Sequence, residues 1–170
     1  MKKLFVMIAA LAVSFSASAI ELPNEKGVMT ANAHVGLMPG FGLNASLDYT
    51  LLDDMGPGHL TVGGFAGFNG SSSVASYNSS TFTFAVLPRV TYGVNFTSEL
   101  EVHVGAMAGP GFTSSKTRAE AGIKTNSGLQ MSCGFVVGGK YFMFGDMGLS
   151  AELGYVTDMS YLNLGVTYRF

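Results

Sequence analysis

NLGVTYRF, residues Asn163–Phe170, ends the chain. It alternates strictly, with Leu164, Val166, Tyr168 and Phe170 on one face and Asn163, Gly165, Thr167 and Arg169 on the other. A period of two is the mark of a β-strand with two unlike faces. Soluble domains tend to end in frayed, polar tails. Here the last side chain is a large aromatic on the apolar face, so the final strand needs an apolar surrounding right up to its end.

The opposite terminus reads as an export signal. MKKLFVMIAALAVSFSASA carries Lys2 and Lys3, then an apolar run from Leu4 to about Val13, then small residues to Ala19. Ala17-Ser18-Ala19 has the Ala-x-Ala form of a cleavage site, and the run is too short to span a bilayer as a helix. Residues 1–19 are therefore expected to be a signal peptide, and residues 20–170 a single domain.

Composition narrows the class. Removing Lys2 and Lys3 from nine Lys and Arg leaves seven, against eleven Asp and Glu, for a net charge of −4 in residues 20–170. That balance argues against a nucleic-acid partner. Charged residues make up 12%, about half the usual globular share. The single cysteine, Cys133, allows no internal disulfide. An exported chain this poor in charge must hide its apolar surface or turn it toward lipid.

Alternation of period two recurs through the chain in eight runs, broken by turn chemistry. They are expected at about Val28–Met38, Phe41–Leu52, His59–Asn69, Thr81–Phe96, Glu99–Phe112, Gly128–Phe144, Met147–Val156 and Tyr161–Phe170. The two long connections, GSSSVASYNSS after the third run and TSSKTRAEAGIKTNS after the fifth, both fall on the side opposite the chain ends. Short turns on one side and longer loops on the other is the habit of outer-membrane barrels. Runs of about ten residues also suit a tilted strand crossing a bilayer.

The position of charge sharpens the reading. In each run the apolar set, such as Leu43, Ala45, Leu47, Tyr49 and Leu51, contains no charge. Asp48, Arg89, Glu101, Lys140, Glu152 and Arg169 all take the other face, with His34 and His103. A Lys or Arg facing lipid would cost roughly 2–4 kcal/mol at the bilayer midplane. The fold expected is therefore all-β, an eight-stranded antiparallel up-and-down transmembrane β-barrel with its charges in the lumen. Buried charges must be paired, so the three acids are expected to pair with the three bases. His59, at a turn, is read as solvated.

Asn163, Gly165, Tyr168 and Phe170 together resemble the C-terminal assembly signal of bacterial outer-membrane barrels. With the strand count, the chain resembles the small OmpA/OmpX-type barrel family. The resemblance implies location in the outer membrane of a Gram-negative bacterium, with the bilayer and lipopolysaccharide as surroundings. It also implies recognition by the barrel-assembly machinery and periplasmic chaperones during biogenesis, and a monomer.

Three functions compete. The first is a structural or surface-interaction barrel with a lumen plugged by side chains, acting through outer loops near Ser71–Ser80 and Ser114–Ser127. The second is a narrow porin-like channel or a carrier of small solutes. The third is a lipid-modifying enzyme, for which His34, Ser46 and Asp48 are the imaginable triad. The first is preferred, so no catalytic residue, cofactor or metal site is assigned. Lys116, Arg118 and Lys124 make the second long connection mildly basic, which suits a solvated loop or contact with lipopolysaccharide phosphates.

Overall fold

The computed structural model describes residues 25–38, 40–73, 78–119, 122–159 and 162–170. The signal peptide read at residues 1–19 lies outside the described residues. Eight strands are present: β1 (Met29–Leu37), β2 (Phe41–Met55), β3 (Gly58–Ser73), β4 (Asn78–Asn95), β5 (Leu100–Ala119), β6 (Gly122–Phe144), β7 (Met147–Val156) and β8 (Leu162–Arg169). They pair in chain order into a closed barrel.

The final strand makes the closure. β8 pairs antiparallel with β1, from Leu37↔Leu162 to Thr30↔Arg169. Beyond the last strand residue, Phe170 and Met29 exchange backbone hydrogen bonds of 2.9 and 3.0 Å. The ladder therefore runs to the chain's last residue and leaves no frayed end. In hydrocarbon, such closure is the only way a sheet satisfies its edges.

Register sets the shape. One row of partners runs Val35, Leu43, Phe68, Phe84, Phe112, Leu129 in one direction. The other direction runs Val35, Leu164, Ala151, Gly139. The two paths meet on β6 at Leu129 and Gly139, a stagger of ten residues. With ordinary strand spacings, eight strands at that stagger tilt by about 41° and enclose a backbone cylinder about 16 Å across. That interior is just wide enough for side chains from both walls to meet.

The faces separate by chemistry. Leu43, Leu47, Val86, Val90, Phe135, Leu153 and Val166 stand on the exterior, and each is more than a third exposed. Among the described residues, no charged side chain interrupts the outer face of a strand within this belt. An apolar surface continuous around a closed barrel requires lipid rather than water. At the end where the chain terminates, Tyr49, Tyr92, Tyr141, Tyr168 and Phe170 form an aromatic girdle. The Tyr92 hydroxyl donates to the Met55 carbonyl at 2.9 Å, and the Tyr141 hydroxyl to Glu99 at 3.2 Å. Each tyrosine thus buries a ring in the apolar belt and keeps its hydroxyl at the polar rim.

Two expected loops are largely strand. Ser71–Ser73 pairs with Ser79–Thr81. Thr113–Ala119 pairs with Gly122–Gly128, and Asn78–Thr81 also pairs with Ser115–Arg118. β3 to β6 therefore continue past the apolar belt as a four-stranded sheet. These segments meet water on both faces, so they carry no apolar alternation, although Thr and Ser still support extended backbone.

Candidate functional site

The lumen carries two clusters of opposite chemistry, displaced from each other along the barrel axis. The cluster nearer the chain ends is charged. Arg89 on β4 lies at its centre, 2% exposed. Its Nε is 3.1 Å from Asp48 Oδ1 on β2, and its Nη2 donates to Glu152 Oε1 on β7 at 3.1 Å. Asn32 on β1 supports the first carboxylate, donating from Nδ2 to Asp48 Oδ2 at 3.2 Å and to Ser46 Oγ at 2.9 Å. On the next strands, Lys140 Nζ donates to Glu101 Oε1 at 3.0 Å.

His103 joins these two sets of charges. Its Nε2 lies 3.1 Å from Glu152 Oε1 and its Nδ1 lies 3.6 Å from Glu101 Oε1. A single network thus spans β2, β4, β5, β6 and β7. Isolated charges in such a place would be very costly, and mutual pairing is what allows them there.

The structure brings five of the six lumen charges together: Asp48, Arg89, Glu101, Lys140 and Glu152. Arg169 stands apart. Its Nε faces Asp146 Oδ1 of the β6–β7 turn at 3.5 Å, and its guanidinium lies 4.3 Å from the centre of the Phe142 ring. The last strand places Arg169 at the rim, where a turn carboxylate and an aromatic face are nearer than any lumen acid. His59 also departs from expectation. It is buried, with Nε2 3.9 Å from Glu101 Oε2, because β3 begins at Gly58 and carries His59 inward. A histidine beside Gly58 offers no sequence signal for this.

The imaginable triad does not assemble. His34 Nε2 lies 2.8 Å from Ser150 Oγ, on β7. Ser46 and Asp48 instead share Asn32. Among the described residues, no group of three His, Cys, Asp or Glu converges as a metal site.

Nearer the outer mouth, beside the buried polar residues Asn44, Asn69, Thr83 and Ser132, stands an apolar cluster that the inward-polar rule did not anticipate. Phe65, Ala85, Leu87, Met107, Val136, Val156 and Met159 form one buried cluster. Six stand on strand positions of lumen parity. Met159 enters from the β7–β8 connection.

The C-terminal residues divide their tasks. Asn163 faces the lumen, where its Oδ1 accepts from Asn44 Nδ2 at 2.6 Å. Gly165 lies so close to β1 that a Cβ would overlap the Ala33 carbonyl oxygen. The Tyr168 and Phe170 rings face outward with centroids 5.3 Å apart.

The apolar belt, aromatic girdle, closed ladder and inward-facing charges define a transmembrane β-barrel. Solved structures share this architecture. A major outer membrane protein of Thermus thermophilus is similar at a TM-score of 0.61 and 16% identity, covering 86% of this chain and all of that one. The N-terminal barrel domain of Pseudomonas aeruginosa OprF is similar at 0.56 and 14%, covering 85% of this chain and 98% of that one. The attachment invasion locus protein Ail of Yersinia pestis is similar at 0.53 and 15%, covering 86% and 100%. At such identities the likeness is one of fold, that of small eight-stranded outer-membrane barrels. No family model matches the sequence. No curated protein matches it.

Proposed function

We propose that this chain is a surface-recognition barrel of a Gram-negative outer membrane, with its lumen closed by side chains and its activity carried by the sheet beyond the bilayer. The observation that carries the reading is the overhang of β6. β5 pairs with β6 up to Gly122, whereas β7 pairs with it only between Gly134 and Phe144. One backbone edge of β6 between Gly122 and Met131 thus has no strand ladder beside it. Ile123, Leu129 and Met131 are 64, 84 and 73% exposed along it. Open edges of this kind take up extended segments of partners by strand addition.

In this reading the residues beneath serve as an anchor. The C-terminal strand presents Tyr168 and Phe170 to the assembly machinery, and a single barrel suffices. Lys116 and Lys124 are exposed on the outer hairpin, where they suit anionic groups such as lipopolysaccharide phosphates. One solved structure of Ail holds a heparin analogue, which makes a sulfated polyanion the first probe to try.

The test removes the outer part of the overhang without touching the barrel. Ser114 and Ser127 are register partners, so residues 115–126 can be replaced by an Asn-Gly turn. The trimmed chain should still run as a compact band on unboiled SDS gels. Cells displaying it should lose the binding to immobilised heparin that cells with the full chain show. Equal binding by both forms, or none by the full chain, overturns the heparin assignment.

A further inference from the structure

The ladder between β4 and β5 breaks in mid-span. It runs from Asn78↔Arg118 to Ala85↔Gly111 and resumes, in the same register, from Arg89↔Met107 to Asn95↔Glu101. Continuing that register across the break sets Val86 opposite Pro110, Leu87 opposite Gly109 and Pro88 opposite Ala108. Proline has no N–H to give to a ladder. The strands nevertheless stay close. A Cβ on Gly109 would stand 2.8 Å from the Val86 carbonyl oxygen and 3.0 Å from Pro88 Cδ. The Val86 carbonyl thus turns toward β5, where Pro110 meets it with ring carbon instead of a donor. By the same pairing, Pro88 denies a donor to the Ala108 carbonyl. Such losses are costly within the apolar belt, where no water replaces the missing donors.

The segments on either side of the gap are tied down. Below it, Arg89 follows Pro88 directly and reaches Asp48 and Glu152, and Glu101 pairs with Lys140. Above it, Thr83 faces Thr113 and Thr81 faces Ser115, each pair with oxygens 3.3 Å apart. Gln130 of β6 also donates to Thr113, at 2.8 Å. The neighbouring ladders run through without a gap, β3 with β4 from Gly58 to Ser73 and β5 with β6 from Leu100 to Ala119. At the gap itself, Leu87 belongs to the buried apolar cluster with Met107. Apolar contact is non-directional, so it tolerates a small rotation that would misalign hydrogen bonds.

We propose that the Pro88–Pro110 gap is a joint built into the barrel wall, about which the outer sheet of β3 to β6 changes its twist relative to the charged half of the barrel. The bonds that such a turn would strain most are the ones the two prolines remove. This inference stands apart from what the outer sheet recognises.

Hydrogen exchange of the wild-type barrel in phospholipid nanodiscs, read by NMR, tests the joint without a variant. The Val86 and Ala108 amides should exchange several-fold faster than those of Val90 and Ala106, a pair in the same ladder below the gap. Equal protection overturns the proposal. Pro88→Ala with Pro110→Ala returns both donors in an unchanged register, and should slow the two amides to the level of Val90 and Ala106. The turn itself is read from spin labels at Met38→Cys, beside the outer end of β1, and Lys116→Cys, on the outer sheet, with Cys133→Ser removing the native thiol. Their distance distribution should be broad with the prolines in place and narrow once both are replaced. Equal widths in two forms that each give the compact unboiled band show a local fray without a joint, and overturn the proposal as well.

Discussion

Arg89 holds the lumen's charged cluster together, because its guanidinium touches carboxylates from two walls. Asp48 and Glu152 stand on β2 and β7, and both are buried. Removing one partner of a buried ion pair leaves the other charge unpaired, at a typical cost of about 3–5 kcal/mol. Arg89→Met should therefore lower barrel stability by that amount, read from the urea midpoint of folding into lipid vesicles. Adding Asp48→Asn and Glu152→Gln should return most of the loss, since no stranded charge remains. Alternation alone placed Arg89, Asp48 and Glu152 on one face. It could not say that residues 63 apart in sequence would meet. That follows from the ten-residue stagger, which brings β4 opposite β7 at one level. Arg169 shows the same limit in reverse. Its inward parity was legible, but not the nearness of Asp146 and Phe142 at the rim.

Among the elements, β8 has two separable duties in the reading proposed above. One is to close the ladder with β1, and Gly165 is where that contact is tightest. Gly165→Val would push a side chain against the backbone of Ala33 and His34, where nothing flexible can yield. That variant should fail to give the compact, heat-modifiable band even when refolded in vesicles without any cellular component. The other duty lies on the outer face, where Tyr168 and Phe170 touch lipid and leave the ladder alone. Tyr168→Ala with Phe170→Ala should refold in vesicles yet fail to assemble in cells, as judged by heat-modifiability of isolated outer membranes. If both variants behave alike in both settings, the division of labour is wrong. β8 was the most legible strand, because one of its faces must meet lipid and the other the lumen. The outer parts of β3 to β6 were the least legible. Water on both faces removes the apolar alternation by which a strand is recognised, and hydrogen-bond registers such as Ser115↔Asn126 leave no trace in composition.

For the molecule as a whole, the closed-lumen reading proposed above makes the charged and apolar clusters act as seals in series. An ion crossing from the outer side would have to pass Met159, Phe65, Leu87, Met107 and Val136, apolar side chains that cannot replace its hydration. It would next meet paired charges that already fill a bore about 16 Å between backbones. Permeation through seals in series requires both to be open, so opening either one alone should leave the membrane tight. The wild-type barrel should give no discrete conductance in planar bilayers. Leu87→Ala with Met159→Ala should also be silent, because Arg89, Glu152 and their partners still occupy the floor. Arg89→Ala with Glu152→Ala should be silent for the opposite reason, with the apolar layer intact above. Only the four substitutions together should conduct, provided the barrel still shows its heat-modifiable band. Steady single-channel steps from the wild type would mean that the lumen breathes enough to pass ions. The channel reading would then displace the closed anchor, and the apolar cluster would become a constriction in an open path.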